Sequence, residues 1–178
     1  ESDLVNPIDH YGLSKHVMEQ ISLFYFQFHG LDIVIIRPFF IIGPDKEGDV
    51  CSDFSKGIVS VENKINNYLE VGNLDVFRDF LDIEDAIAAI LLLCNKGIGG
   101  ESYNICSGES YSLKTILEIL ESYSSVTSIS KRKSSSKMRK VDQKYRVGSF
   151  RKLEILGWSP KIKIQISLQR IIDFWRKQ

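Results

Sequence analysis

The sequence predicts an α/β chain organised around a parallel sheet, and three observations carry that prediction. Segments with helical spacing of apolar residues alternate with short β-branched runs. The clearest such run, residues 31–37 (LDIVIIR), directly follows a long helical segment, and a strand fed by a helix is expected to pair in parallel. A hydrophobic content of 43% over 178 residues is enough to fill the core of one globular domain.

Taken in order, residues 1–10 are punctuated by Pro7 and read as a loop. Val17, Ile21, Phe24 and Phe28 recur at spacings of three and four, which predicts a helix over 11–29 closed by Gly30. The aromatic group Phe24, Tyr25 and Phe28 then belongs to the core or to a subunit interface. Residues 31–37 follow as a buried strand, and 39–53, with Gly43, Pro44 and Gly48, as a loop. A short helix is expected over 52–61, then short strands at 68–71 and 76–80 around the turn GNLD. Residues 83–94 read as a helix whose acidic start, Asp82, Glu84 and Asp85, suits its positive end. A strand at 102–105 and a helix over 112–123 capped by Ser112 come next. Residues 124–140, which include KRKSSSKMRK, have the composition of a linker. Helices over 149–156 and 166–176 complete the chain.

Bulk charge narrows the function. With 23 basic and 23 acidic residues, nothing argues for nucleic acid or an anionic membrane surface as partner. The longest apolar run, 86–94, has nine residues, well short of the roughly 20 a membrane helix needs. The three cysteines form no CxxC pair and no metal-ligand spacing, which predicts reduced thiols filling the core of a cytoplasmic protein. The opening ESDLVNP is polar and acidic, unlike a secretory signal, and the absence of an initiating Met suggests a fragment or a processed chain.

Chemistry is concentrated in YGLSK. Tyr11 and Lys15 are four apart at a helix start and so share one face. A free phenol, with a pKa of about 10, is a poor acid–base catalyst at neutral pH, but an ammonium one turn away favours the phenolate. Such a pair can pass a proton to or from a sugar oxygen while a nicotinamide carries the hydride. Read alone, the same spacing also suits a surface lysine beside a packed tyrosine.

The segment NPIDHYGLSKHVMEQ, followed one strand later by IIRPFFIIGP, resembles the extended short-chain dehydrogenase/reductase family of NAD-dependent epimerases and dehydratases. The resemblance continues through VGNLDVFRDFLDIEDAIAAI, ESYNICSGESYSL and LGWSPKI, spanning nearly the whole chain. It implies the C-terminal part of an NAD(P)-binding Rossmann fold plus a small α/β substrate lobe, with the N-terminal βαβ units missing. Residues 1–50 would complete the Rossmann part. Residues 51–178 would form mainly the nucleotide-sugar lobe, with about 76–95 returning to the Rossmann part. By the same resemblance Tyr11 is the catalytic acid/base and Lys15 tunes it and holds the nicotinamide ribose, with Pro38 and Phe39 on the cofactor side.

GNLDVFRDFLDIEDA is similar to enzymes of GDP-sugars, the GDP-4-keto-6-deoxymannose reductases and GDP-mannose 4,6-dehydratases, and RDF with YGLSK favours the reductases. Arg78 is then expected at the nucleotide, with Phe54 and Lys56 on the approaching helix and Arg139 at the diphosphate. Each has a plainer reading: Arg78 as the ion-pair partner of Asp79, Lys56 as a solvated helix residue, and the basic run 131–140 as mobile surface. The family motif RPxNxxGP carries a substrate-facing asparagine; RPFFIIGP has Phe40 there, and a phenyl ring cannot replace an amide's hydrogen bonds.

A glycine-rich phosphate turn is also expected in such a fold, but GIGGES at 97–102 follows a helix and precedes a strand, so it reads as an ordinary connection. The units carrying that turn, and the family's catalytic Ser/Thr, would lie on the order of 100 residues upstream. The expected function is an NAD- or NADP-dependent nucleotide-sugar oxidoreductase, homodimeric when intact, with this chain inactive alone. Its reaction would be reduction of GDP-4-keto-6-deoxymannose at C4, or alternatively 4,6-dehydration or epimerisation. A reading of another class is a non-catalytic nucleotide-binding or assembly module. No metal is expected.

Overall fold

The computed structural model describes residues 1, 5–138 and 143–178. It is an α/β arrangement whose two-stranded sheets are parallel. The first helix, α1 (His10–His29), is capped by Asp9, whose carboxylate accepts from the Gly12 amide. Gly30 closes it at φ 66°, a left-handed conformation that costs glycine nothing.

Strand β1 (Ile35–Pro38) pairs in parallel with β6 (Ser102–Ile105). The β-branched run is thus ladder only from Ile35 onward, because β6 is four residues long and its register starts at Ile35 opposite Ser102. The expected loop after Pro38 contains a strand instead: β2 (Phe40–Ile42) lies parallel to β5 (Phe80–Asp82). Helix α2 (Val50–Glu62) starts at Asp49, whose Oδ1 accepts from the Cys51 and Ser52 amides. β3 (Leu69–Val71) follows.

The expected strand over 76–80 is divided into β4 (Phe77–Arg78) and β5. Asp79 breaks it because the chain changes partners there: its amide donates to Arg146 O while its carbonyl accepts from Phe40 N. The fully buried Asp79 carboxylate accepts from Ser107 N, Ser107 Oγ, Gly108 N and Gly148 N, so its charge is well satisfied. Helix α3 (Ile83–Lys96) is capped by Asp82, and the GIGGES connection runs from it to β6 as expected. Gly99 and Gly100 leave the room that the Phe26 ring of α1 occupies.

β7 (Tyr111–Ser112) leads into α4 (Leu113–Ser122), where Ser112 Oγ accepts from the Thr115 amide. The linker reading of 124–140 is corrected by β8 (Lys131–Lys133), which pairs in parallel with β3, and by a 3₁₀ turn over Ser135–Lys137. Three lysine and arginine side chains exposed on a ladder look like linker in sequence, since backbone pairing leaves no compositional trace. β9 (Tyr145–Arg146), α5 (Arg151–Ile155) and α6 (Ile164–Trp175) complete the described chain.

Two buried clusters form. One lies among α2, α4, α6 and β3, with Phe54, Ile58, Leu117, Leu120, Leu168 and Ile172 at its centre. The other joins α3, β6 and α5, with Ala89, Leu93, Tyr103, Ile105 and Leu153. The LGWSPKI segment is pinned to the start of α3: Trp158 Nε1 donates to Asp85 O, and the Lys161 and Ile162 amides donate to Asp85 Oδ2.

Two core expectations are corrected. Helix α1 buries none of its residues, and Val17, Ile21, Phe24, Tyr25 and Phe28 are all exposed. Their spacing is helical as predicted, but the stripe meets no partner among the described residues; its aromatic rings contact one another instead, Phe24 and Phe28 at 5.0 Å. Cys51 and Cys106 are buried, whereas Cys94 is exposed, near the last turn of α3. No helix of the described residues is long and apolar enough to cross a membrane.

Candidate functional site

A cavity of about 480 Å³ opens where β2, β4 and β5 meet the start of α2 and the segment leaving β8. Phe40, Phe54, Leu74, Val76, Phe80 and Leu113 give it an apolar wall. Its charged and amide groups are Lys46, Asp49, Asp53, Asn73, Arg78 and Lys137. A pocket of that size, apolar with a few convergent charges, suits a small ligand that carries charge.

Arg78 is held in the wall by local strand geometry and is only 3% exposed. Its Nη1 donates to Phe77 O at 2.7 Å and to Gln143 O at 2.8 Å. The guanidinium carbon lies 5.7 Å from the centre of the Phe40 ring, which in turn lies 5.9 Å from Phe80. Phe40 thus contributes an aromatic surface beside a cation, where an amide would contribute hydrogen bonds.

The start of α2 is answered by its own acids. Asp49 caps it, Asp53 lies in its first turn, and the Lys46 ammonium sits 3.6 Å from Asp49 Oδ2 while donating to Ile41 O. Among the described residues the cations that line the cavity are Lys46, Arg78 and Lys137, and the helix end beside them is already met by carboxylates.

Of the residues singled out in the sequence, Phe40, Phe54 and Arg78 come together in this cavity. Lys56 does not. Its ammonium pairs with Glu47 at 2.8 Å and sits 3.9 Å over the Trp175 ring, beside a shallower groove of about 410 Å³. Arg139 lies outside the described residues. Lys46, Asn73 and Lys137 were not singled out: Lys46 sits in a glycine-flanked loop, and Lys137 was hidden in a segment of linker composition.

Tyr11 and Lys15 stand together on α1, away from this cavity's lining, with Lys15 Nζ 5.3 Å from the centre of the Tyr11 ring. Tyr11 is 72% exposed. Neither its hydroxyl nor the Lys15 ammonium has a hydrogen-bond partner among the described residues, so both are available to a ligand. Pro38, exposed, ends β1; Phe39, half-buried, follows and packs near Cys106 and Gly148. Glu19, one turn beyond Lys15 on the same face, binds Arg37 of β1 through both carboxylate oxygens.

The chain matches, over residues 1–171, the family described as GDP-mannose 4,6 dehydratase. It is 32% identical, along its whole length, to the GDP-6-deoxy-D-mannose reductase of Pseudomonas aeruginosa, of which it covers 59%. Over 67% of its length it is 38% identical to a GDP-6-deoxy-D-talose 4-dehydrogenase of Aggregatibacter actinomycetemcomitans, of which that match covers 39%. The structure of RMD from Pseudomonas aeruginosa complexed with NADPH superposes on 99% of the chain with a TM-score of 0.91 and 32% identity, and 60% of that protein is covered. The chain thus spans less than two thirds of the length of these relatives.

Proposed function

The chain belongs to the GDP-mannose 4,6-dehydratase family of NAD-dependent nucleotide-sugar enzymes, and on that footing we propose that it carries the nucleotide-sugar site of an NAD(P)-dependent oxidoreductase. In this reading the intact enzyme reduces the 4-keto group of a GDP-6-deoxyhexulose. The observation that carries it is the convergence of Lys46, Arg78 and Lys137 on one cavity with an aromatic wall. Cations answer a diphosphate, and Phe40 and Phe80 offer surface to a sugar or a base. The similarity to a GDP-6-deoxy-D-mannose reductase supports the choice of a GDP sugar and a reductase over a dehydratase or an epimerase. Arg139 is a secondary candidate for the same ligand, whereas Lys56, turned to Glu47 and the Trp175 ring, is not.

Tyr11, Lys15, Pro38 and Phe39 would hold the nicotinamide end of NAD or NADP, and the exposure of Tyr11 supports that fit. The dinucleotide, when bound, supplies the hydride. Tyr11 gives the proton to the sugar oxygen, and Lys15, one turn away, steadies the phenolate left behind. Aspartate and glutamate on α2 keep to capping and ion pairs, so no second acid is drawn from the cavity. A Rossmann part and a substrate lobe would then meet along other bounds than 1–50 and 76–95, since Ile42 and Phe80 pack with α2, α4 and α6 while Tyr103, Ile105, Leu153 and Trp158 pack with α3. The exposed stripe of α1 is consistent with a homodimer.

A second reading, a nucleotide-binding module without turnover, is favoured by Phe40, which brings no amide to the site. Calorimetry of the 178-residue chain with GDP, UDP and NADPH tests the nucleotide site that both readings share. GDP binding above UDP is expected. Equal and weak binding of all three would overturn the proposed substrate.

A further inference from the structure

We propose that Lys137 is a diphosphate-binding residue parked on Asp53, and that a bound nucleotide exchanges that carboxylate for a phosphate oxygen. The inference rests on the reading of the cavity as a nucleotide-sugar site. Lys137 reaches the cavity through backbone pairing rather than helix geometry. The β8 strand runs parallel to β3, and the turn Ser135–Lys137 then passes directly over Gly72. A Cβ at Gly72 would collide with the Lys137 carbonyl, so the glycine admits this approach.

Lys137 Nζ lies 3.3 Å from Asp53 Oδ2. The two side chains are 32% and 44% exposed, and an ion pair that open holds an ammonium in place while contributing little. Both residues line the main cavity and the adjoining groove, so the pair forms the ridge between them. Asp53 sits in the first turn of α2, where the helix end favours its charge with or without Lys137. Releasing the lysine is therefore inexpensive for the acid. Lys46 is committed differently, to a main-chain carbonyl and to Asp49. A diphosphate offers more charge and more acceptor oxygens than one carboxylate, so charge-assisted bonding favours the exchange.

The exchange makes an asymmetric prediction for GDP titrated calorimetrically into the 178-residue chain. Lys137→Met weakens binding by about ten-fold, the loss of one charge-assisted contact. Asp53→Asn tightens binding, because the competitor for Lys137 is gone. In the double variant Asp53→Asn has no effect, since there is no ammonium to release. Guanosine, with no phosphate, is indifferent to Lys137→Met. Lys137→Gln serves where circular dichroism shows that Lys137→Met does not fold. Equal tightening by Asp53→Asn in both backgrounds would mean a long-range charge effect and would overturn the exchange, as would unchanged GDP binding by Lys137→Met. Absence of GDP binding to the unsubstituted chain would remove the nucleotide reading itself, and the exchange with it.

Discussion

Arg37 and Glu19 form a two-pronged ion pair, Nε to Oε1 at 2.9 Å and Nη2 to Oε2 at 2.7 Å, that ties the helix bearing Tyr11 and Lys15 to the strand leading toward the cavity. The bonds from Glu19 raise the Arg37 pKa above its usual range, against the opposing effect of burial. Helix α1 buries no side chain, so this pair and the Phe26 contact do much to set its position. A partly buried, bidentate pair is expected to show a coupling of about 1 kcal/mol in a double-mutant cycle of Arg37→Met and Glu19→Gln. Urea denaturation measures it, and additive losses would show that the helix is held by other contacts.

Asp79 gives the larger stability effect. Asp79→Ala would leave the Ser107, Gly108 and Gly148 amides without their acceptor at the junction of β4 and β5. A loss of about 3 kcal/mol or more is expected from stranding several buried donors at once. A loss under about 1 kcal/mol in chemical denaturation would mean that water or a rearranged loop replaces the carboxylate.

Acid should weaken the contact between α2 and α6. Arg176 hydrogen bonds to Glu62 lower that carboxyl below the ordinary value of 4.5, with further help from Ser125 N and Ser124 Oγ. A group depressed in the folded state stabilises fully above its unfolded pKa and loses that contribution as pH falls through the folded one. Stability of the chain is therefore expected to fall below about pH 4.5, and less steeply in Glu62→Gln. Parallel acid profiles for the two proteins would discount Glu62.

Thiol chemistry should sort the cysteines. Burial pushes the Cys51 thiol well up, and burial with nearby Asp79 pushes Cys106 up to about 12. Cys94 is exposed. Under native conditions an aromatic disulfide reagent is expected to modify Cys94 alone, and all three only after unfolding. Rapid native labelling of Cys106 would show that the loop over it opens.

Local signals were the legible ones. Asp9, Gly30 and Ser112 announce helix ends because a cap acts within a few residues of itself. The parallel pairing of β1 was legible from the helix before it. β2, β8 and β9 were not, since strands of two or three residues are defined by partners far along the chain. The same distinction separates the site residues. Arg78 and Phe40 stand in motifs, FRDF and RPFFIIGP, that the family resemblance marks, whereas Lys56 follows Trp175 of α6, a partner no local pattern predicts. Lys137 enters the cavity by a pairing that its basic, serine-rich neighbourhood conceals.

The central claim is that the cavity beside Arg78 takes a nucleotide sugar. Backbone amide resonances of the 178-residue chain, followed while GDP-mannose is added, test it most directly. Shifts are expected to gather at Phe40, Asp53, Asn73, Leu74, Arg78 and Lys137, with the groove at Lys56 and Tyr68 and the exposed stripe of α1 unchanged. Shifts confined to that groove or that stripe, or none at all, would contradict the account.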